Sequence, residues 1–295
     1  MQKQGSNFVQ HPQPHCMHRK VKKIFHPKEV MEGAGVRLHR CFGYAELPLF
    51  DPFLLLDDFG SDNPNDYLAG FPWHPHRGIE TITYIMKGDV EHRDSMGNKG
   101  SIKDGDVQWM TAGSGIIHQE MPQAVEGKSQ GFQLWVNLPK KDKMMPPRYR
   151  GITAHEIPVV KEDDAEVKVI AGMYAGTPGS VTNLVVDVIY IDVTVKPRKF
   201  FSYTVPKHYT AFLYVFQGLV KVGDSLASVA PSVILTETQS GTIQVSAGEG
   251  GARFLLVAGE PLGEPIAWGG PMVMNTQEEL QEAFVAYQNG TLVKK

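Results

Sequence analysis

From Val21 onward the chain is written in short apolar runs punctuated by Gly, Pro, Asn and Asp. Ile79-Glu-Thr-Ile-Thr-Tyr-Ile-Met86 stops at Lys87-Gly88-Asp89, Val107-Gln-Trp-Met110 stops before Ala112-Gly113, and Gly131-Phe-Gln-Leu-Trp-Val136 stops at Asn137. Runs of that length, rich in β-branched and aromatic residues and closed by turn formers, predict strands, and their number predicts an all-β protein. The stretch Leu138 to Pro147 breaks the pattern with charge and proline, which marks a connector. A domain boundary is expected near residue 150, giving an N-terminal unit over 21–150 and a C-terminal unit over 151–295.

The second half repeats the style, in Glu166-Val-Lys-Val-Ile170, Leu184 to Val193, Ala211 to Phe216, Gly241 to Val245 and Arg253 to Val257. Tyr84-Ile-Met-Lys-Gly88 and Tyr214-Val-Phe-Gln-Gly218 share Tyr and Gly at one spacing, so the halves read as a repeat with an offset of 130 residues. Helical periodicity is confined to the C-terminus. There Thr276-Gln-Glu-Glu279 has the spacing of a capping box, Leu280, Phe284 and Tyr287 recur on one face, and Gly290 suits a left-handed stop. The helix is expected over about 276–289, covering a barrel and carrying no chemistry.

Composition narrows the picture modestly. The chain has 295 residues, 42% of them apolar, enough for two ordinary cores. A net charge of −3 gives no electrostatic case for direct nucleic-acid binding. No apolar run approaches the roughly 20 residues that span a bilayer and no secretory pattern opens the chain, so a cytoplasmic protein is expected, or a nuclear one in a eukaryote. Cys16 and Cys41 cannot build a disulfide framework and are expected as free thiols. Residues 1–20 are polar, with His11, His15, Cys16 and His18 among Pro and Gln, and read as a flexible tail rather than a soft-metal site.

The candidate chemistry lies in two short pairs. Side chains two apart on a strand point the same way, so His74 and His76 share a face, as do His118 and Glu120. Titratable groups aimed into a barrel must be paired or metal-bound. Three imidazoles and one carboxylate suit Fe, Mn, Co, Ni, Cu or Zn rather than Ca or Mg, and leave positions open on an octahedral ion. Glu80 shares the parity of His74 and His76; it is expected to orient an imidazole rather than to be a fifth ligand. His92 is expected to end a strand, and Arg77 to pair with an acidic neighbour. Phe71 and Trp73 either line a substrate pocket or pack the barrel. The 130-residue offset sets His74 on Thr204, His76 on Pro206 and Glu80 on Thr210, so the second copy lacks donors and one site per chain is expected.

These motifs carry a resemblance. Leu54-Leu-Leu-Asp57-Asp58-Phe59, Phe71 to Thr81, Gly105 to Gly113, Gly115-Ile-Ile-His-x-Glu-Met-Pro122, Leu134-Trp-Val-Asn-Leu138, Ala258-Gly-Glu-Pro261 and Met274-Asn-Thr276 resemble the pirins, members of the cupin superfamily. The resemblance implies two tandem cupin, jelly-roll-like barrels packed face to face, with one metal in the N-terminal barrel, and His74, His76, His118 and Glu120 matching the family's iron ligands. It also implies two functions. One is an Fe(II) dioxygenase of the quercetin 2,3-dioxygenase type: Glu120 as general base takes the proton of a flavonol 3-hydroxyl, and O₂ opens the ring with release of carbon monoxide. The other is a non-enzymatic, redox-responsive regulator, acting on transcription or a metabolic enzyme through a protein partner.

Overall fold

The computed structural model describes residues 18–225, 227–239 and 241–294. The first-half runs become β1 (Val21–Phe25), β2 (Lys28–Glu32), β3 (Val36–Phe42), β4 (Phe53–Asp58), β5 (Phe71–His76), β6 (Ile79–Lys87), β7 (Asp89–Asp94), β8 (Lys99–Lys103), β9 (Val107–Thr111), β10 (Ile116–Pro122), β11 (Gln130–Asn137) and β12 (Arg148–Ile152). They form a seven-stranded sheet in the order β12-β9-β6-β11-β4-β3-β2 and a four-stranded sheet in the order β5-β10-β7-β8. Side chains of β6 and β11 in the first sheet reach Glu120 of β10 in the second, so the two sheets face each other as barrel walls.

The second barrel is a nine-stranded sheet built chiefly on Val188–Val195, Phe200–Val205, Thr210–Val222, Ser232–Thr236 and Gly241–Gly259. Its two longest strands absorb what the sequence read as shorter runs: 211–216 extends to residue 222, and 241–245 joins 253–257. Register shifts at Val215/Gln217 and Gly218/Val220 explain the length. A bulge adds twist and bend, so one strand can serve two walls without a break. Gly218 at φ +81 permits this, because a Cβ there would stand 2.2 Å from the carbonyl oxygen of Gly251.

One apolar core joins the two barrels. Phe42, Phe50, Leu56, Trp109 and Phe132 from the first half pack in the same cluster as Tyr190, Phe212, Tyr214 and Leu255 from the second. Two buried hydrogen bonds cross this core in opposite directions: Tyr84 donates to Asp192 at 2.8 Å, and Tyr214 donates to Asp58 at 2.6 Å. Tyr84 and Tyr214 are the pair that the 130-residue offset aligns. The interior of the second barrel is apolar. Phe201, Val205, Ile243 and Val245, on strands paired as β5 pairs with β10, fill it.

The chain ends cross over. β1 pairs with Ser232–Thr236 and so belongs to the nine-stranded sheet of the second barrel. The last segment, with the hairpin Ala267–Gly269/Met272–Met274 and helix α1 (Gln277–Gln288), returns to the first barrel: Val273 packs with Ile79, Met110 and Ile116. The capping box of Thr276 and Glu279 is formed, and Gly290 stands at φ +69. Residues 18–20 depart from the expected tail. Arg19 is buried and donates to the carbonyls of Tyr209 and Pro206, each at 2.8 Å, which gives a buried guanidinium the acceptors it requires. The rest of that tail, with His11, His15 and Cys16, lies outside the described residues. Cys41 is a buried free thiol, and among the described residues no helix is long and apolar enough to cross a membrane.

Candidate metal centre

β5 and β10 lie side by side, with His74 directly opposite His118. Alternation then places His76 on the same face as His74, and the three imidazoles converge. Their candidate donor atoms all lie within 4.8 Å of one another, and ring centroids are 4.3 Å apart for His74/His118 and 5.0 Å for His76/His118. His118 is fully buried and His76 nearly so, while His74 faces the cavity.

The hydrogen bonds fix two of the tautomers. Nδ1 of His74 lies 2.8 Å from the carbonyl oxygen of Pro72, and Nδ1 of His76 lies 2.9 Å from that of Pro271. A carbonyl only accepts, so both Nδ1 atoms carry the proton and both Nε2 atoms present lone pairs. Those Nε2 atoms stand 3.2 Å apart. Two lone pairs at that separation repel unless a cation lies between them. Both ring nitrogens of His118 are buried without a hydrogen-bond partner, a costly state that a coordinated ion relieves. Burial, together with the neighbouring His74, pushes His76 down to about 3, and burial with His76, His74 and His92 holds His118 well below the ordinary imidazole range. His76 and His118 are therefore neutral and ready to ligate at physiological pH. Anchored Nδ1–H groups and converging free nitrogens fit a transition-metal ion.

Glu120 lies on the same face of β10 and lines the same cavity, but its carboxylate is not in the three-histidine group. The extra residue of the register shift here lies on β5, between Phe71 and His74, while β10 stays in register with β7. Oε1 of Glu120 accepts from Thr83 at 3.0 Å and Oε2 from Gln133 at 3.1 Å. It stands beside the imidazoles, held by two neutral donors.

Glu80 goes elsewhere. The turn at Arg77-Gly78 ends β5 and sends β6 into the other sheet, so strand parity does not run from His74 to Glu80. Glu80 is fully buried and accepts from Thr111 at 2.6 Å, not from an imidazole. Burial raises its carboxyl, against the pull of Thr111, Trp109, Arg150 and Arg148. Arg77 donates to the carbonyl of Ser114 at 2.7 Å and feels the charge of Glu282 without a direct ion pair. His92 is not a strand end: it is buried within β7, stacks on Tyr149 at 4.8 Å and lies 5.6 Å from the ring of His118.

Above the imidazoles opens a cavity of about 670 Å³. Phe71 and Trp73 line it, as do Tyr44, Trp135 and Trp268, which the sequence did not single out. The indole of Trp135 packs edge-on to His76 at 5.1 Å and donates to Gln133, the residue that holds Glu120. Only the Leu134-Trp-Val-Asn-Leu138 motif hinted at Trp135. Trp268 comes from the far end of the chain, where nothing local links it to the site.

Comparison with known proteins agrees with this architecture. The family model described as Pirin matches residues 35–136, and that of the Pirin C-terminal cupin domain matches residues 190–293. A pirin-like protein of Caulobacter vibrioides is 44% identical over 274 residues, 92% of this chain and 98% of that protein. Pirin of Rattus norvegicus is 38% identical over 275 residues, 92% of either chain. The crystal structure of a quercetin 2,3-dioxygenase from Acinetobacter baumannii superposes with a TM-score of 0.87 at 34% identity, covering 94% of this chain and 99% of that one. With two matched cupin domains and relatives along nearly its whole length, the chain belongs to the pirin family.

Proposed function

We propose that this protein is a metal-dependent dioxygenase that cleaves flavonols, with His74, His76 and His118 holding a single Fe(II) and Glu120 acting as the base. The observation that carries the reading is the convergence of three imidazoles, two of them with their Nε2 atoms turned toward each other, at the floor of a cavity walled by aromatic rings. Bound there, the iron supplies positive charge for a deprotonated hydroxyl and open positions for O₂.

The remaining work falls to the chain. Trp135 and Phe71 offer flat walls to a planar substrate and keep water from the reacting ring. Thr83 and Gln133 hold the Glu120 carboxylate by one oxygen each, leaving lone pairs to accept the proton of a flavonol 3-hydroxyl. The relative from Acinetobacter named as a quercetin 2,3-dioxygenase supports this substrate class.

Anaerobic reconstitution with Fe(II), followed by quercetin and air, tests the reading through loss of flavonol absorbance. His74→Ala and His118→Ala are expected to lose bound metal by elemental analysis; normal occupancy in both sinks the ligand assignment. Glu120→Gln is expected to keep metal and slow turnover by about 100-fold, the usual worth of a general base. A variant as fast as wild type removes Glu120 from that role.

A further inference from the structure

Carboxylates stand at two places in the cavity wall. At the floor, Glu120 adds a carboxylate with neutral partners beside the imidazoles. Asp57 lies opposite Gln133 on the next strand and Arg40 opposite Asp57 on the strand beyond, and with Glu32 they form a second ionic group. Arg40 donates through Nε and Nη2 to the two oxygens of Asp57, each at 2.9 Å, and through Nη1 to Glu32 at 2.8 Å. All three residues line the cavity. Two carboxylates against one guanidinium leave a negative charge over, and Arg40 has spent its fork on them, so it offers no bidentate seat to an incoming anion. The Asp57 side chain is 8% exposed and that of Glu32 is 41% exposed, which makes Glu32 the carboxylate a ligand meets. Tyr44, Trp268 and Trp135, in consecutive ring contact at 5.7 and 5.8 Å, form a wall whose faces also favour positive charge.

We propose that the cavity selects planar aromatic hydroxyl compounds whose far end is cationic or carries hydrogen-bond donors, and discriminates against those whose far end bears a carboxylate, sulfate or phosphate, with Glu32 as the specificity-determining residue. This rests on the reading that the substrate's hydroxyl is seated at the imidazoles; a far end that extends past Gln133 and Asp57 then meets Glu32. A like charge near that carboxylate is repelled through a medium more polar than the barrel interior, which sets the scale at roughly tenfold in affinity.

The test uses the full chain loaded with Fe(II) under anaerobic conditions, so that no turnover intervenes, and three 3-hydroxyflavones that differ only at the 4′ position: trimethylammonium, methoxy and carboxylate. Binding is read from quenching of tryptophan fluorescence. The ammonium compound is expected to bind about tenfold tighter than the carboxylate, the ratio shrinking in high salt as screening sets in. Glu32→Gln is expected to narrow it several-fold, since it removes the repelling charge and frees part of the Arg40 fork. Equal binding of all three compounds, or a ratio that Glu32→Gln leaves intact, overturns the inference while the seating of the hydroxyl stands. Failure of all three to bind overturns the seating itself, and the inference with it.

Discussion

At the scale of single residues, the site shows how backbone carbonyls decide which nitrogens are free. His74 and His76 were legible in the sequence because a spacing of two guarantees a shared face whatever the sheet does next. Glu80 was misread for the converse reason: parity holds only while a strand continues, and Gly78, at φ +78, ends it. The location of Glu80 gives a prediction with a sign. Burial raises its pKa above the unfolded value near 4.3, so the native state keeps its proton to higher pH. Its contribution to stability is complete below about pH 4 and is lost as pH rises through the folded pKa. Glu80→Gln preserves an acceptor for Thr111 and cannot ionise. It should therefore gain melting temperature over wild type at pH 7.5 relative to their difference at pH 4, with metal content unchanged. A difference that does not vary with pH removes the ionisation argument, and loss of metal restores Glu80 to the site.

At the scale of elements, the turn between β5 and β6 sets the geometry of the centre. A Cβ on Gly78 would lie 2.0 Å from the carbonyl oxygen of Val273, and the Gly78 conformation is one that L residues rarely adopt. The ammonium of Lys143 is buried against the same turn, donating to the carbonyls of Gly78 and Val273 at 2.9 and 3.0 Å and to the Asn137 side chain at 2.7 Å. Gly78→Ala should push the Val273 strand away and carry with it the Pro271 carbonyl that orients His76. The expected cost is at least about 2 kcal/mol in denaturant unfolding, from strain and lost packing, together with weaker metal retention against a chelator. Unchanged retention would mean that Pro271 does not position His76. The strands of the first half were legible from alternation and turn residues. The two long bent strands of the second half were not, because bulges are compatible with many residue types and leave little local signal.

At the scale of the whole molecule, two barrels share one apolar core pinned by a reciprocal pair of hydrogen bonds, Tyr84 to Asp192 and Tyr214 to Asp58. Removing the Tyr214 hydroxyl takes a donor from the buried Asp58 carboxylate, whereas Asp192 keeps both donors of the Arg253 fork when Tyr84 loses its own. Tyr214→Phe should cost about 1–3 kcal/mol and Tyr84→Phe about 0.5–1.5 kcal/mol, each in one cooperative transition that loosens both halves together. Two separate transitions in either variant would show that the barrels unfold independently. The repeat itself was visible in the sequence from the spacing of those two tyrosines and their following glycines. The crossing of the chain ends was not, since partners such as His76 and Pro271 are 195 residues apart and no local pattern records them. That crossing bears on synthesis. A chain emerging from the ribosome N-terminus first tends to fold in that order. Here the imidazoles of the first barrel are translated early, yet the carbonyl that fixes His76 and the indole of Trp268 emerge only after the strands of the second barrel. Metal capture in the final geometry has to wait until Pro271 has emerged, so the growing chain can complete the strands of both barrels before its centre is closed.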